Sequence, residues 1–153
     1  MNANDYRISK LRDYLFSLIT SISGKTNYQI NVNMLSDKID DYSLDKIPTS
    51  SEIQRFITGE KLYRDVYSFK SRKSYSLDTV TNVDTMGFFE LFEDAIEYNN
   101  KERVLPEING IQSISCLNCG TMISSTDGNK AIFDIQIQIE YIKERDDISL
   151  WKR

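Results

Sequence analysis

The stretch Ala131-Ile132-Phe133-Asp134-Ile135-Gln136-Ile137-Gln138-Ile139-Glu140-Tyr141 decides the fold. Ala131, Phe133, Ile135, Ile137, Ile139 and Tyr141 fall at every second position, and Asp134, Gln136, Gln138 and Glu140 lie among the residues between. A period of two over so many residues means a strand with one buried face and one polar face. Thr126-Asp127-Gly128-Asn129 precedes it, and Asp-Gly is a strong hairpin turn signal. The partner strand is expected over Ile111 to Ser124. The C-terminal third therefore reads as a long antiparallel hairpin. Its polar face holds amides and a few carboxylates, with no nucleophile, base or metal set.

Working back along the chain, Glu52 to Ile57 and Lys61 to Tyr75 read as two arms of another hairpin around Thr58-Gly59-Glu60. Tyr63, Tyr67 and Phe69 would share one face, and Leu62, Val66 and Ser68 the other. Both faces carry apolar groups, which places this strand in the centre of a sheet or at an interface. Tyr28, Ile30, Val32 and Met34 alternate with Gln29, Asn31 and Asn33, so a short strand is expected there. Tyr42 and Leu44 alternate as a second short strand before a turn at Pro48.

Two segments have helical spacing instead. From Tyr6 to Ile22, the residues Leu11, Tyr14, Leu15, Leu18, Ile19 and Ile22 form one apolar stripe. Arg7, Lys10, Arg12 and Asp13 fall mostly on the other side. Asn4 is the expected cap, Asp5 suits the first turn, and Gly24 the stop. The second helix is expected from Ser76 to Asn99, capped by Ser76 or Asp78. Val80 and Val83 lie one turn apart, and Phe88, Phe89, Phe92, Ala95 and Ile96 give a broad apolar face. Gly87 lies inside and costs ~1 kcal/mol against alanine, so a break is expected there. Lys101 to Gly110, with Pro106, reads as a loop into the last hairpin. The fold class is α+β: a mostly antiparallel sheet with two main helices packed on one face. Residues 1–153 read as a single domain, with a core over about 5–143 and an exposed tail at 144–153.

Composition limits function. At 40% apolar and 27% charged residues the chain is globular in type, not disordered. No apolar run approaches the ~20 residues that span a bilayer. Met1-Asn2-Ala3-Asn4-Asp5 shows no basic region followed by an apolar run, so the expected compartment is the cytosol. A net charge of −4 argues against a duplex-binding module. Lys70-Ser71-Arg72-Lys73 is the local exception, and by charge alone it reads as a solvated strand end. There is no histidine, which removes the commonest general base and the commonest nitrogen ligand for zinc.

The remaining chemistry is sparse. Cys116 and Cys119 form a lone C-x-x-C, compatible with a zinc half-site or a redox pair. The chain lacks further Cys or His to complete four ligands, and a strand points residues three apart to opposite faces. Two buried thiols is the plainer reading. Glu90, Glu93, Asp94 and Glu97 lie at helical spacing away from the phenylalanine face, as solvated carboxylates do. No phosphate-cradling glycine motif is present. The Tyr63/Tyr67/Phe69 and Phe88/Phe89/Phe92 groups read as core rather than as a base-stacking platform.

The order of these pieces resembles the small tail terminator proteins of phages of low-GC Gram-positive bacteria, also labelled minor capsid or tail completion proteins. The N-terminal helix is followed by Ile30-Asn31-Val32-Asn33-Met34-Leu35. Tyr42-Ser43-Leu44-Asp45-Lys46-Ile47-Pro48 stands where the family favours a Tyr-Ser-Ile-x-x-x-Pro-like stretch. Arg55-Phe56-Ile57-Thr58-Gly59 runs on to Tyr67-Ser68-Phe69-Lys70-Ser71-Arg72, where the family shows a glycine turn and an aromatic strand ending in small-Ser-Arg. Gly87-Phe88-Phe89-Glu90 with Phe92 resembles a Gly-Phe-aromatic-Glu-x-aromatic helix. Ala131 to Tyr141 matches a last strand of Tyr-x-Ile-Gln-x-x-x-x-Tyr type. The likeness covers roughly residues 5 to 143. The family often has Trp in the second helix where this chain offers Ala95 or Ile96, and the Cys pair and Asp147 to Arg153 have no counterpart.

The resemblance implies a structural, non-catalytic virion protein without cofactors or metals. It implies a homo-oligomeric, hexameric ring that caps the tail tube, ends its polymerisation and meets the head connector or neck protein. DNA would only pass through the channel, and no membrane is involved. The setting would be the virion tail, or a tail-like particle, assembled in the bacterial host cytoplasm. Alternatives are a head-side connector or stopper, a small carboxylate-dependent hydrolase, or a host-directed binding module. The expected contact residues are Arg55, Tyr63, Arg64, Tyr67, Lys70, Arg72 and Lys73. Subunits of net charge −4 repel, and basic groups facing a neighbour's carboxylates would offset that.

Overall fold

The computed structural model describes residues 6–49, 52–74, 79–118, 120–126 and 130–143. Two helices and a seven-stranded, mostly antiparallel sheet follow in the order α1 (Arg7–Ser23), β1 (Ile30–Val32), β2 (Tyr42–Ile47), β3 (Glu52–Arg55), β4 (Lys61–Ser74), α2 (Thr79–Lys101), β5 (Ile111–Cys116), β6 (Thr121–Thr126) and β7 (Lys130–Lys143). This is the expected α+β class.

The long strands β4 and β7 form the spine, paired antiparallel along their whole lengths from Lys61↔Lys143 to Ser74↔Lys130. The free side of β4 is shared by β2, opposite Val66 to Ser71, and β3, opposite Lys61 to Tyr63. The free side of β7 is shared in the same way by β5 and β6. The single expected partner of β7 is thus two short strands. The interruption at 117–120 is anchored by Leu117 N–H on Gln136 O (2.7 Å) and by Asn118 Oδ1, which accepts from Gln136 N–H (2.8 Å). Gly120 has φ 50°, and a Cβ there would stand 2.5 Å from a ring carbon of Phe89. The chain therefore passes under α2 at a point where only glycine fits.

β1 runs parallel to β2 and spans only Ile30–Val32. Asn33 adopts φ 58°, which ends the strand before Met34. β4 is central, as its two-sided apolar content implies. Gly24 closes α1 with φ 71° and an N–H bond to Thr20 O (2.8 Å). Tyr6 occupies the N-cap position without a side-chain cap, and the expected capping residues Asn4 and Asp5 lie outside the described residues. So do the Ser76 and Asp78 caps, the Asp127-Gly128-Asn129 turn and the 144–153 tail.

α2 runs unbroken through Gly87, contrary to the expected break. Nothing lies within 4 Å of a Cβ built at Gly87, and Phe89, Phe92 and Ile96 are buried below it. Packing of those side chains outweighs the ~1 kcal/mol propensity cost. Both helices lie on one sheet face. Leu11, Leu15 and Ile19 of α1 and Phe89, Phe92 and Ile96 of α2 meet Tyr42, Leu44, Tyr67, Phe69, Phe133, Ile135, Ile137 and Ile139 in one core. Phe69 stacks on Phe92 (5.6 Å) and on Tyr42 (5.1 Å).

Candidate functional site

Alternation along β4 and β7 divides the expected contact residues between two environments. Register puts Tyr63, Asp65, Tyr67, Phe69, Ser71 and Lys73 on the helix side, and Leu62, Arg64, Val66, Ser68, Lys70 and Arg72 on the side that carries no helix among the described residues.

The helix-free side is a polar, half-buried surface. Along β7 it presents Asp134, Gln136, Gln138 and Glu140. Ser68 Oγ donates to Asp134, Gln138 Nε2 donates to Glu140 Oε1 (3.0 Å), and Ser43 Oγ donates to Asp45 Oδ1 (2.7 Å). Lys70 Nζ pairs with Asp45 Oδ2 at 3.3 Å. Arg64 stands opposite Glu140 in register, and its Nε is enclosed without a hydrogen-bond partner. An enclosed donor left unpaired costs ~1–3 kcal/mol, so Nε would gain from an acceptor brought in by a rearrangement of this side chain. Arg55 is exposed on β3 beside Glu52, with Nε 3.1 Å from Oε1. Tyr63 is half-buried, stacked on Tyr141 (5.7 Å) beneath the Lys143 ammonium (4.6 Å from its ring centre).

Two of the expected contacts, Tyr67 and Lys73, are corrected, and a third, Arg72, is half-buried with its Nε and backbone engaged within the chain. Tyr67 is 2% exposed and belongs to the core, where burial first and the Asp65 charge second push its phenol far above the usual value. Arg72 holds the 36–41 segment: Nε donates to Ser36 O (2.8 Å), its N–H to Asp41 O (3.1 Å), and its own carbonyl accepts from Asp40 N–H (2.7 Å). Lys73 is 6% exposed, so Lys70 to Lys73 is not a solvated strand end. Strand parity explains this, because Lys73 shares its side with Tyr67 and Phe69.

Lys73 sits in a cavity of about 350 Å³ between the end of α1, the 36–42 segment and the start of α2, with Tyr28, Tyr42, Asp40, Asp84 and Phe88 among its walls. Its Nζ donates to Tyr42 Oη (2.7 Å) and to Asp40 Oδ1 (3.1 Å), and lies 4.0 Å from the Phe88 ring centre. Lys25 Nζ approaches the other Asp40 oxygen at 3.7 Å. Desolvation pulls the Lys73 pKa below the ordinary lysine value, and Asp40 opposes that only in part. A second, more open groove of about 630 Å³ lies between α1 and α2, where Leu18, Leu91, Ala95 and Tyr98 line it.

A second buried charge, Asp65, was not singled out by the sequence reading. It is 1% exposed and accepts from Tyr141 Oη (3.1 Å), with Arg7 Nε at 3.5 Å and Lys46 Nζ at 3.7 Å. Arg7 also lies over the Tyr141 ring at 4.5 Å, so it packs on the sheet while staying partly exposed. Asp65 shares the parity of Tyr67, and that was the signal to find it. Cys116 is half-buried on β5 opposite Ile137, and Cys119 lies outside the described residues. Glu90, Asp94 and Glu97 are exposed on α2 as expected, and Glu93 is half-buried. Among the described residues no group of three or more Cys, Asp or Glu is placed to hold a metal ion. No helix is long and apolar enough to cross a membrane among them. No family model matches the chain, and no curated protein matches it either.

Proposed function

We propose that this chain is a structural subunit of a phage tail, forming a hexameric ring that caps the tail tube and meets the head connector. The reading starts from the family resemblance of its ordered motifs. One observation carries it further: the helix-free face of β4 and β7, where the Nε of the half-buried Arg64 has no hydrogen-bond partner and stands opposite Glu140 in register. A sheet face with small, amide and paired charged groups suits a polar subunit contact. A neighbour's carboxylate or carbonyl would supply the missing acceptor for Arg64. The basic groups available for this role are Arg64, Lys70, Arg72 and Arg55, while Tyr67 and Lys73 are buried and serve the fold.

Native mass spectrometry with negative-stain imaging tests the proposal. A discrete hexamer is expected, or a monomer that assembles on isolated tail tubes. Charge reversal in Arg64→Glu with Lys70→Glu is expected to abolish ring formation or tube capping while circular dichroism stays unchanged, and high salt should weaken the same contact. Wild-type protein that neither forms rings nor binds tubes would overturn the reading. Normal rings and normal tail length in the reversed variant would remove this face from the contact.

A further inference from the structure

The Lys73 cavity has no part in the ring proposal, and it has the composition of a small-molecule site. Its volume falls at the lower end of such sites, about 300–1,000 Å³. Tyr28, Tyr42 and Phe88 supply aromatic walls. Two lysines and two aspartates line it, so their formal charges cancel. Lys25 and Lys73 are both committed to Asp40. That balance offers no surplus charge to draw an anion or a cation, and it suits a neutral, flat ligand.

We propose that Lys73 is a reactive amine and that the cavity takes a small aromatic aldehyde, held covalently as an imine. The amine rather than the ammonium is the nucleophile, and removal from water, which the ring faces of Tyr42 and Phe88 offset only in part, disfavours the ammonium and pulls the Lys73 pKa down. The Asp40 carboxylate, 3.1 Å from Nζ, accepts the ammonium proton. The nitrogen lone pair then forms a bond to the carbonyl carbon as the carbonyl π electrons move to oxygen, giving a carbinolamine. The nitrogen passes one of its protons to that oxygen, making it a hydroxyl; the proton held by Asp40 then goes to the hydroxyl, which leaves as water, and the nitrogen lone pair forms the C=N bond, leaving a protonated imine beside the Asp40 carboxylate. Amine and aldehyde are converted to imine and water with no oxidant or reductant. Tyr42 Oη, 2.7 Å from Nζ, fixes the amine in place. Asp84 at the cavity wall is the further charged group facing it.

Salicylaldehyde with sodium cyanoborohydride, added to the full chain at neutral pH, tests this by peptide mapping in a time course. Lys73 is expected to be reductively alkylated several-fold faster than the exposed Lys38 and Lys101. Acetaldehyde, which lacks a ring for Tyr28, Tyr42 and Phe88, is expected to show a smaller preference for Lys73. Lys73→Arg should lose the fast phase. Should that variant fail to fold, the wild-type time course decides alone. Alkylation of Lys73 no faster than of Lys38 and Lys101, or only after denaturation, would overturn the proposal.

Discussion

The two faces of the β4–β7 pair share backbone, register and hydrogen bonds, yet they are built for different ends. On one face Tyr67, Phe69, Ile135, Ile137 and Ile139 are at most 2% exposed beneath the helices. On the other, one residue along each strand, lie Ser68 bonded to Asp134, Gln138 bonded to Glu140, and Gln136 between them. The first face supplies stability, because burying each large apolar side chain contributes ~1.5–3 kcal/mol. The second holds half-buried polar groups, most of them paired within the face and one, Arg64 Nε, left without an acceptor. What differs is only the parity of the side chains, so a single substitution can test either face without touching the other.

The largest separation is expected at neighbouring positions of β7. Ile137→Ala should cost ~2–5 kcal/mol through loss of buried methylenes and the cavity left behind. Gln136→Ala or Gln138→Ala should stay within ~0.5 kcal/mol, apart from any loss of subunit contact. Urea unfolding of the monomer measures both, and equal costs would mean that the two faces are alike.

Asp65 sharpens the comparison, because it is a charge on the apolar side. Asp65→Ala should cost ~1–3 kcal/mol, since Tyr141 Oη loses its acceptor in a dry setting. Arg7 and Lys46 are partly exposed and can turn to water, which keeps the loss below that of a sealed ion pair. Arg7→Ala should cost less than Asp65→Ala in the same assay, and the reverse order would show that the packing of Arg7 on Tyr141 dominates.

Alkaline titration probes the covered face as a whole. Burial, the largest cause in each case, pushes the phenols of Tyr42, Tyr67 and Tyr141 far above their ordinary value near 10. A raised folded-state pKa contributes stability that is complete below the unfolded pKa and lost as pH rises towards the folded one. Stability should therefore decline above pH ~10, by up to ~1.4 kcal/mol per pH unit for each such tyrosine. Phenolate absorbance should show these tyrosines ionising together with unfolding. Their ionisation in still-folded protein would mean that water reaches the core.

Much of this was legible in the sequence, for physical reasons that can be named. Strict alternation in 131–141 and the two-sided pattern of 62–69 gave the spine, because burial on one face leaves a period-two record. The Lys73 cavity was hidden by reading Lys70 to Lys73 as a block of charge. Counting parity from Tyr67 and Phe69 would have placed Lys73 indoors and Lys70 outdoors. Asp65 was missed in the same way. The division of the β7 partner into β5 and β6 had a signal too, since Asn118 and Gly120 are poor strand formers in mid-run. The unbroken passage of α2 through Gly87 was not legible, because it depends on what Phe89, Phe92 and Ile96 meet in three dimensions. The missing acceptor of Arg64 is likewise a property of enclosure, which no linear pattern records.

The divided flanks of the spine have a consequence for solubility at high concentration. Among the described residues, the strands that border the sheet are β1, the end of β2 beyond Leu44, β3, β5 and β6, and none exceeds six residues. The flank of β7 is offset at 117–120, and β3 meets β4 through a register shift between Glu52 and Gln54. A fibril grows by adding long, straight, in-register strands to an unpaired edge, and a stepped border gives such growth no continuous template. The fourteen-residue strands that could seed it are locked in the middle. A chain at high concentration gains from that layout, since edge-to-edge stacking meets no continuous border.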